Sequence, residues 1–179
     1  MELADDLDAI KKFKNSKYVF SSTADIFHKI AQKLKEGGKI VVIALPCQIA
    51  AIRKIFHDKL DDLLLVDLVC HGTMPYEYLK QYIGYIEKSY CKKAVRLTFR
   101  DPAKGTENFA LSLYDEKDVC FYSCASFEDI YQFAYHCMVA YRENCYHCCY
   151  ANSNRVSDIT LSDYKGLGAC SPCKFLEKK

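Results

Sequence analysis

The sequence predicts an α/β fold with a mixed sheet, in which a parallel βαβ part is followed by short antiparallel strands. Two apolar runs, KIVVIAL (39–45) and LLLVDLVC (63–70), have the aliphatic and β-branched composition of buried parallel strands. Each run ends in a break and is followed by a helical pattern, QIAAIRKIF (48–56) and PYEYLKQYIGYIEKSY (75–90). Strand, break and helix in succession are typical of a parallel α/β unit.

The flanking segments complete the predicted order of elements. SSTADIFHKIAQKLKEGG (21–38) predicts a helix, because Ser22 and Asp25 match a capping box and Gly37 follows the last turn. After Tyr90 the pattern changes to short runs separated by turn residues, typical of antiparallel strands: AVRLTFRD, FALSLYD and VCFYS. SFEDIYQFAYHCMVAYR (126–142) predicts a further helix.

Length and composition indicate one domain with a substantial core. The chain has 179 residues, of which 50% are hydrophobic, and a net charge of +2. The balanced charge argues against nucleic acid as a partner. The amino-terminal residues lack the apolar stretch of a signal peptide, and no apolar run approaches the roughly 20 residues that span a bilayer. We therefore expect a cytoplasmic protein without a membrane span.

Eleven cysteines are unusual for such a protein. Cytosolic thiols stay reduced, and an odd number fits a disulfide framework poorly. Four of them lie singly among apolar or aromatic neighbours and are interpreted as small buried hydrophobic residues: Cys91, Cys120, Cys124 and Cys137. The other seven need a different explanation.

Cys47 and Cys70 each follow a predicted parallel strand, at the turn into the next helix. If the two strands are neighbours, both sulfurs lie at the carboxyl edge of the sheet, where open α/β sheets bind ligands. A helix N-terminus at this edge also favours the thiolate that a metal needs. Alternatively, each cysteine is only a small residue at the end of a strand.

Cys145 and Cys148 form a Cys-x-x-Cys pair, a spacing that lets both sulfurs face one metal ion. A thioredoxin-like redox pair would need a preceding strand and a following helix, whereas here a helix precedes and the polar ANSNR follows. Cys149 is interpreted as a bystander, since its side chain should point elsewhere.

A second Cys-x-x-Cys pair, Cys170 and Cys173, starts 170 − 148 = 22 positions after Cys148. This is close to the spacing of a structural zinc ribbon. A ribbon would leave the two cysteines at the strand ends unexplained. Spacing alone therefore leaves zinc open as an alternative.

Four stretches, read in order, resemble one family. They are LPCQIAAIRK (45–54), VDLVCHGTMPYEYLKQYIGYIEKSY (66–90), VRLTFRD (95–101) and RENCYHCCYANSNRVSDITLSDYKGLG (142–168). Together they resemble the C-terminal domain of the coenzyme F420 hydrogenase/dehydrogenase beta subunit family. Members are iron–sulfur flavoproteins that pass electrons between clusters and FAD, and then to or from a deazaflavin or another acceptor.

The resemblance implies that Cys145 and Cys148 bind a 4Fe–4S cluster, with Cys47 and Cys70 as the remaining ligands. Zinc would accept the same four thiolates. The function implied is that of an iron–sulfur oxidoreductase domain, which relays electrons between this cluster and a flavin. The alternatives are a zinc-stabilised binding module and an inactive fragment of such an enzyme.

Four further residues are candidates for cofactor contacts. Gln48 and His71, each beside a predicted ligand, would tune the cluster or touch the flavin, although His71 also fits an ordinary strand-end turn. Arg100 would contact a flavin or acceptor phosphate, although it also fits a plain strand-to-turn position. Asp163 takes the place of the aspartate in the family's G-D-x-W-G motif, from which this sequence otherwise departs.

Family members usually begin with a two-cluster ferredoxin-like segment and continue with at least one more strand. We therefore expect residues 1–179 to be a single domain that is truncated at both ends relative to full-length members. A redox partner protein or a ferredoxin-like domain is the expected partner. The sequence contains no Gly-rich dinucleotide fingerprint, so FAD binding by this chain alone is doubtful.

Overall fold

The computed structural model describes residues 1–11, 13, 15–105 and 108–162. Its helices are α1 (Leu7–Lys11), α2 (Ile26–Lys35), α3 (Pro46–Ile55), α4 (Tyr76–Tyr90), α5 (Ile130–His136) and α6 (Glu143–Tyr146). Its strands are β1 (Ile40–Ala44), β2 (Leu63–Leu68), β3 (Arg96–Thr98), β4 (Leu111–Tyr114), β5 (Cys120–Cys124) and β6 (Ile159–Leu161). Single 3₁₀ turns lie at Leu60–Asp62 and Pro102–Lys104. Over these residues, no helix has the length and apolarity to cross a membrane.

The chain divides into two compact units, each with a sheet of its own. Unit 1 comprises Met1–Lys29 and His71–Cys148. Unit 2 comprises Ile30–Cys70 and Cys149–Lys179. The single domain that we infer from the length of the chain stays a prediction.

Unit 2 contains a parallel sheet with the strand order β1-β2-β6. Ala44 at the end of β1 pairs with Asp67 near the end of β2. Helix α3 connects these strands and packs against both, and its Ile49 and Ile52 are fully buried. The aliphatic runs therefore form the two neighbouring parallel strands that the sequence predicts.

The third strand of this sheet, β6, is not predicted from the sequence. It has only three residues and lies in a polar segment. Asp158, just before it, exchanges hydrogen bonds with Leu65 of β2. Its N–H donates to the Leu65 carbonyl at 2.8 Å, and its carboxylate accepts the Leu65 N–H at 2.8 Å. Arg53 of α3 forms an ion pair with the same carboxylate at 2.8 Å. These contacts hold β6 beside β2, although the composition of β6 does not predict a strand.

Unit 1 contains an antiparallel sheet with the strand order β3-β4-β5. The central strand β4 is buried along its whole length, including Leu111 and Leu113. Ile86 of α4 and Tyr131 of α5 join the same core, together with Phe99. The short antiparallel strands are thus confirmed, and with them the mixed α/β fold class.

The predicted helix over 126–142 is shorter in the structure. Helix α5 ends at His136, and Met138 takes a left-handed backbone conformation with φ of +59°. The Val139 N–H then bonds back to the Ala134 carbonyl at 3.1 Å. This turn ends the helix and leads the chain into α6, which carries Cys145.

Candidate metal centre

Cys47 is the second residue of α3, directly after β1. Leu45 is the extended residue before the helix, and Pro46 occupies the first helical position, where its missing N–H costs no hydrogen bond. The side-chain oxygen of the buried Gln48 accepts the Leu45 N–H at 3.2 Å. The half-buried Cys47 thus lies at the positive end of the helix dipole, which favours a negatively charged sulfur.

Cys70 follows β2 at the same edge of the sheet. Because Ala44 pairs with Asp67, Cys47 and Cys70 each lie three residues beyond a paired position on neighbouring parallel strands. The Val69 N–H donates to the Leu161 carbonyl at 2.9 Å, so pairing with β6 continues almost to Cys70. Both cysteines follow neighbouring parallel strands, as the sequence predicts.

In unit 1, Cys145 lies in the one-turn helix α6, and Cys148 follows the residue that ends it. The Cys145 N–H donates to the Arg142 carbonyl at 2.8 Å, and the Arg142 N–H donates to the Thr73 carbonyl at 3.0 Å. The Cys145 sulfur lies 3.8 Å from Oγ1 of Thr73. The backbone therefore holds this half-buried thiol against the turn that follows the C-H-G motif.

Residues 71–73 pack on residues 141–145 within unit 1. Nδ1 of His71 lies 2.6 Å from the phenolic oxygen of Tyr141. Gly72 has φ of +137°, and a Cβ atom there would lie 2.1 Å from the Tyr141 ring. Only glycine fits this close approach. The contact with Tyr141 thus fixes the position of His71. The sequence does not indicate this partner.

The F-R-D motif has a structural role in unit 1. The guanidinium carbon of Arg100 lies 4.2 Å from the centroid of the Phe109 ring. The buried Asp101 carboxylate accepts the Tyr114 hydroxyl and the Ala103 N–H. Burial alone would raise the pKa of Asp101, but these hydrogen bonds outweigh it and the pKa is lowered. Asp101 therefore caps a 3₁₀ turn as a carboxylate.

Three predicted residues cannot be placed. Asp163, Cys170 and Cys173 lie outside the described residues. The contact proposed for Asp163 stays a prediction. The zinc-ribbon alternative, which uses Cys170 and Cys173, also stays a prediction.

The sequence does not predict a buried ion pair that lies near the end of β2. Asp67 is 0% exposed, and its Oδ2 lies 2.8 Å from a guanidinium nitrogen of Arg155. Burial raises the pKa of Asp67. The polar groups of Arg155, Thr160 and Ser157 lower it by a larger amount, so the pKa lies below its ordinary value. The available signal was an acidic residue inside an apolar strand, which requires a partner.

The donor chemistry can be tested against the expected cluster. Among the described residues, the structure contains no group of three or more His, Cys, Asp or Glu side chains that could hold a metal ion. Cys47 and Cys70 belong to unit 2, and Cys145 and Cys148 belong to unit 1. Four thiols fit a 4Fe–4S cluster, and they would fit zinc as well. The nine described cysteines are thiols and form no disulfide. Cys91 and Cys137 are exposed, and Cys120 and Cys124 are half-buried, so the interpretation of these four as buried residues is wrong.

The chain is similar to part of one solved hydrogenase complex. A solved structure of the F420-reducing [NiFe] hydrogenase complex from Methanosarcina barkeri has a chain that matches with a TM-score of 0.49 and 17% identity. The match covers 87% of the present chain and 50% of the other, so this chain spans about half the length of that relative. No curated protein matches.

The family comparison covers most of the chain. Residues 37–175 match the family described as the C terminus of the beta subunit of coenzyme F420 hydrogenase/dehydrogenase. That range begins just before β1 and includes all four predicted cysteine ligands. The description of the family suggests a redox function. The chain belongs to this family, the C-terminal domain of the coenzyme F420 hydrogenase/dehydrogenase beta subunit.

Proposed function

We propose that this chain is the electron-relay domain of an iron–sulfur oxidoreductase, in which Cys47, Cys70, Cys145 and Cys148 bind a 4Fe–4S cluster. The observation that carries this proposal is the register of β1 and β2, which brings Cys47 and Cys70 to equivalent positions at one sheet edge. Two cysteines that only fill space would not need to lie at equivalent positions on neighbouring strands. The membership of a hydrogenase/dehydrogenase family supports the redox assignment.

The packing of residues 71–73 gives a second line of support. Cys70 is joined to His71 by a single peptide bond, and His71 contacts Tyr141 in the segment that leads to α6. Thr73, three residues after Cys70, approaches Cys145. Within unit 1, these contacts hold the turn that follows Cys70 against the segment that carries Cys145.

When bound, the cluster supplies a centre that takes up and releases one electron at a time. The residues of this chain bind and orient it. The N-terminus of α3 offsets the negative charge at Cys47, and Gln48 fixes the turn by capping that helix. His71, held by Tyr141, would tune the potential by hydrogen bonding. No proton transfer is assigned to any of these groups.

The cluster would pass electrons towards FAD and then to a deazaflavin or another acceptor. Arg100 and Asp163 are the proposed contacts to the flavin or to a phosphate of the acceptor. The description of the family as a beta subunit implies other subunits, so the proposed partner is a redox protein or a ferredoxin-like domain. This partner would supply part of the flavin site.

The experiment is an analysis of iron, sulfide and zinc in anaerobically purified protein, together with its absorption spectrum. A brown protein with about four irons per chain is expected. Cys47→Ser should abolish iron binding, whereas Cys149→Ser, next to a predicted ligand but exposed, should retain it.

Two other results would overturn the proposal. A colourless protein with one zinc, lost in Cys170→Ser and kept in Cys47→Ser, would establish the zinc-stabilised module. A folded protein that takes up neither metal would establish the inactive fragment.

A further inference from the structure

Helix α5 is apolar on its exposed face as well as on the face that packs in unit 1. The inner face carries Tyr131 and Tyr135, which belong to the buried core of this unit. The outer face carries Ile130 and Phe133, which are 73% and 49% exposed. A surface helix normally has polar residues on the face opposite the core. The core of unit 1 therefore explains only one of the two apolar faces.

The apolar surface continues before and after the helix. Residues 127–139 are all described, and seven of them are exposed, of which Glu128 alone is charged. The other six form what we call the α5 patch: Phe127, Ile130, Phe133, Cys137, Met138 and Val139. Single exposed apolar residues are common, but a group of this kind is typical of a protein interface.

The centre of the α5 patch is a single stripe of the helix. Phe133 and Cys137 lie three and seven positions after Ile130, so the three side chains are neighbours on one helical face. Phe127, which is 84% exposed, lies in the turn three positions before Ile130. Val139, which is 69% exposed, follows the end of the helix. The patch is therefore continuous along the chain.

The α5 patch is large enough for a symmetric dimer. An aromatic side chain buries about 150–250 Å², so Phe127 and Phe133 together offer on the order of 250 Å² at their observed exposure. The four other members bring the area to on the order of 600 Å². Two copies of the patch would then bury about 1,200 Å², which is the lower end of the range for specific interfaces.

The order of the residues matches a two-fold axis beside Phe133. When two α5 helices run antiparallel across this axis, Phe133 of one copy meets Phe133 of the other. Ile130 and Cys137 lie three and four positions to either side, so each faces the other residue in the second copy. Phe127 and Val139 are each six positions away and face each other in the same way. Each contact thus occurs twice, as an interface between identical copies requires.

Charge does not oppose this pairing. Glu128 lies five positions from Phe133, so it and its copy would be at least about 15 Å apart along the helices, at a rise of 1.5 Å per residue. This distance exceeds the screening length of about 8 Å at physiological ionic strength. Asp129 is fully buried, where it accepts the hydroxyls of Tyr82 and Tyr122. A patch with one peripheral carboxylate favours a second copy of the chain over a charged partner.

We propose that the α5 patch is the interface of a homodimer, in which two α5 helices pack antiparallel across a two-fold axis at Phe133. The buried area is small for a dimer, so the dimer dissociates on dilution. No member of the patch is a proposed metal ligand. The dimer therefore does not depend on the proposed function.

Sedimentation velocity of the full chain over a dilution series measures the association. We expect a dimer at high concentration and a monomer at low concentration. Ile130→Lys should raise the dissociation constant at least about tenfold, because the interface would then bury an unpaired charge. Tyr85→Lys is the control and should dissociate like the parent, since Tyr85 is 67% exposed on α4 and lies outside the patch.

A cross-link tests the position of the axis. In Phe133→Cys, the two introduced thiols would lie side by side, within the Cα separation of about 7 Å that a disulfide allows. Oxidised glutathione should then produce a covalent dimer, whereas Tyr85→Cys should not. Peptide mass spectrometry distinguishes this disulfide from bonds formed by the exposed thiols of Cys91, Cys137 and Cys149.

Three results would overturn the proposal. The first is a parent chain that stays monomeric at every concentration, which would leave the α5 patch to a different protein. The second is a folded Ile130→Lys variant that dimerises as tightly as the parent. The third is a Phe133→Cys variant that forms no disulfide between the introduced residues.

Two precautions keep these results decisive. Near-ultraviolet circular dichroism checks that each variant is folded, and Val139→Lys provides a second charged substitution at an exposed position of the patch. Because the metal analysis is a separate measurement, failure of the iron site and failure of the dimer are distinguishable.

Discussion

Nδ1 of His71 lies 2.6 Å from the phenolic oxygen of Tyr141, although the two residues are 70 positions apart in the sequence. The contact joins the turn after the C-H-G motif to the segment that leads into the Cys-x-x-Cys loop. It is therefore one of the contacts through which two motifs of the family signature meet within unit 1.

Tyr141→Phe removes this hydrogen bond and keeps the ring that packs on Gly72. We expect the free energy of unfolding to fall by about 1 kcal/mol, the usual value for one partly buried hydrogen bond. Urea denaturation of the variant measures the change. Tyr85→Phe is the control and should stay within about 0.5 kcal/mol of the parent, since its side chain is exposed. Equal stability of both variants would contradict the role assigned to this contact.

Gly72→Ala should be strongly destabilising. The new Cβ would lie 2.1 Å from the Tyr141 ring, and the backbone has a φ that side chains rarely adopt. We expect a loss of at least about 2 kcal/mol, from strain and overpacking together. The matched substitution Gly84→Ala should have the opposite sign and stabilise α4 by about 0.5–1 kcal/mol, because nothing lies within 4 Å of its Cβ position. Thermal unfolding of both variants compares them directly.

Arg155→Leu should leave the Asp67 charge buried without its cation. Asp67 is fully buried and Arg155 largely so, and breaking such a pair costs about 3–5 kcal/mol. The double variant Asp67→Asn with Arg155→Leu should recover part of the loss, because the unpaired charge is then absent. Denaturant unfolding of the two variants tests this coupling, and a double variant no more stable than Arg155→Leu would argue against it.

The same pair predicts a pH dependence. The pKa of Asp67 in the folded state is lowered below its ordinary value of 3.8. Its carboxylate therefore contributes stability that is fully present above that value and is lost as the pH falls through the lower folded pKa. In Asp67→Asn, the decline in stability below pH about 4 should be shallower than in the parent. A series of urea unfolding curves from neutral to acidic pH measures the difference, and parallel curves would contradict it.

Gln48→Met tests the cap of α3. The substitution keeps the length of the side chain and removes the oxygen that accepts the Leu45 N–H. We expect the free energy of unfolding to fall by about 1 kcal/mol. Gln32→Met on the exposed face of α2 is the control and should stay within about 0.5 kcal/mol of the parent. Chemical denaturation of the pair provides the comparison.

The sequence predicts the α/β class and the positions of Cys47 and Cys70, because the two aliphatic runs mark buried strands and parallel pairing places the ends of neighbouring strands at one edge of the sheet. It does not predict β6, whose three residues depend on contacts from Asp158 to β2 and α3. Nor does it predict the Asp67–Arg155 pair, since the partner of a buried charge is decided by the tertiary fold. The end of α5 at His136 is set by the backbone turn at Met138, which helical periodicity does not reveal.

The most direct measurement is anomalous diffraction at the iron absorption edge, from crystals of the anaerobically purified chain. Our account expects one compact group of iron atoms bonded to four sulfurs, contributed by two strand-end cysteines and by both members of the 145/148 pair. Iron or zinc bound by Cys170 and Cys173 in place of Cys47 and Cys70 would contradict it.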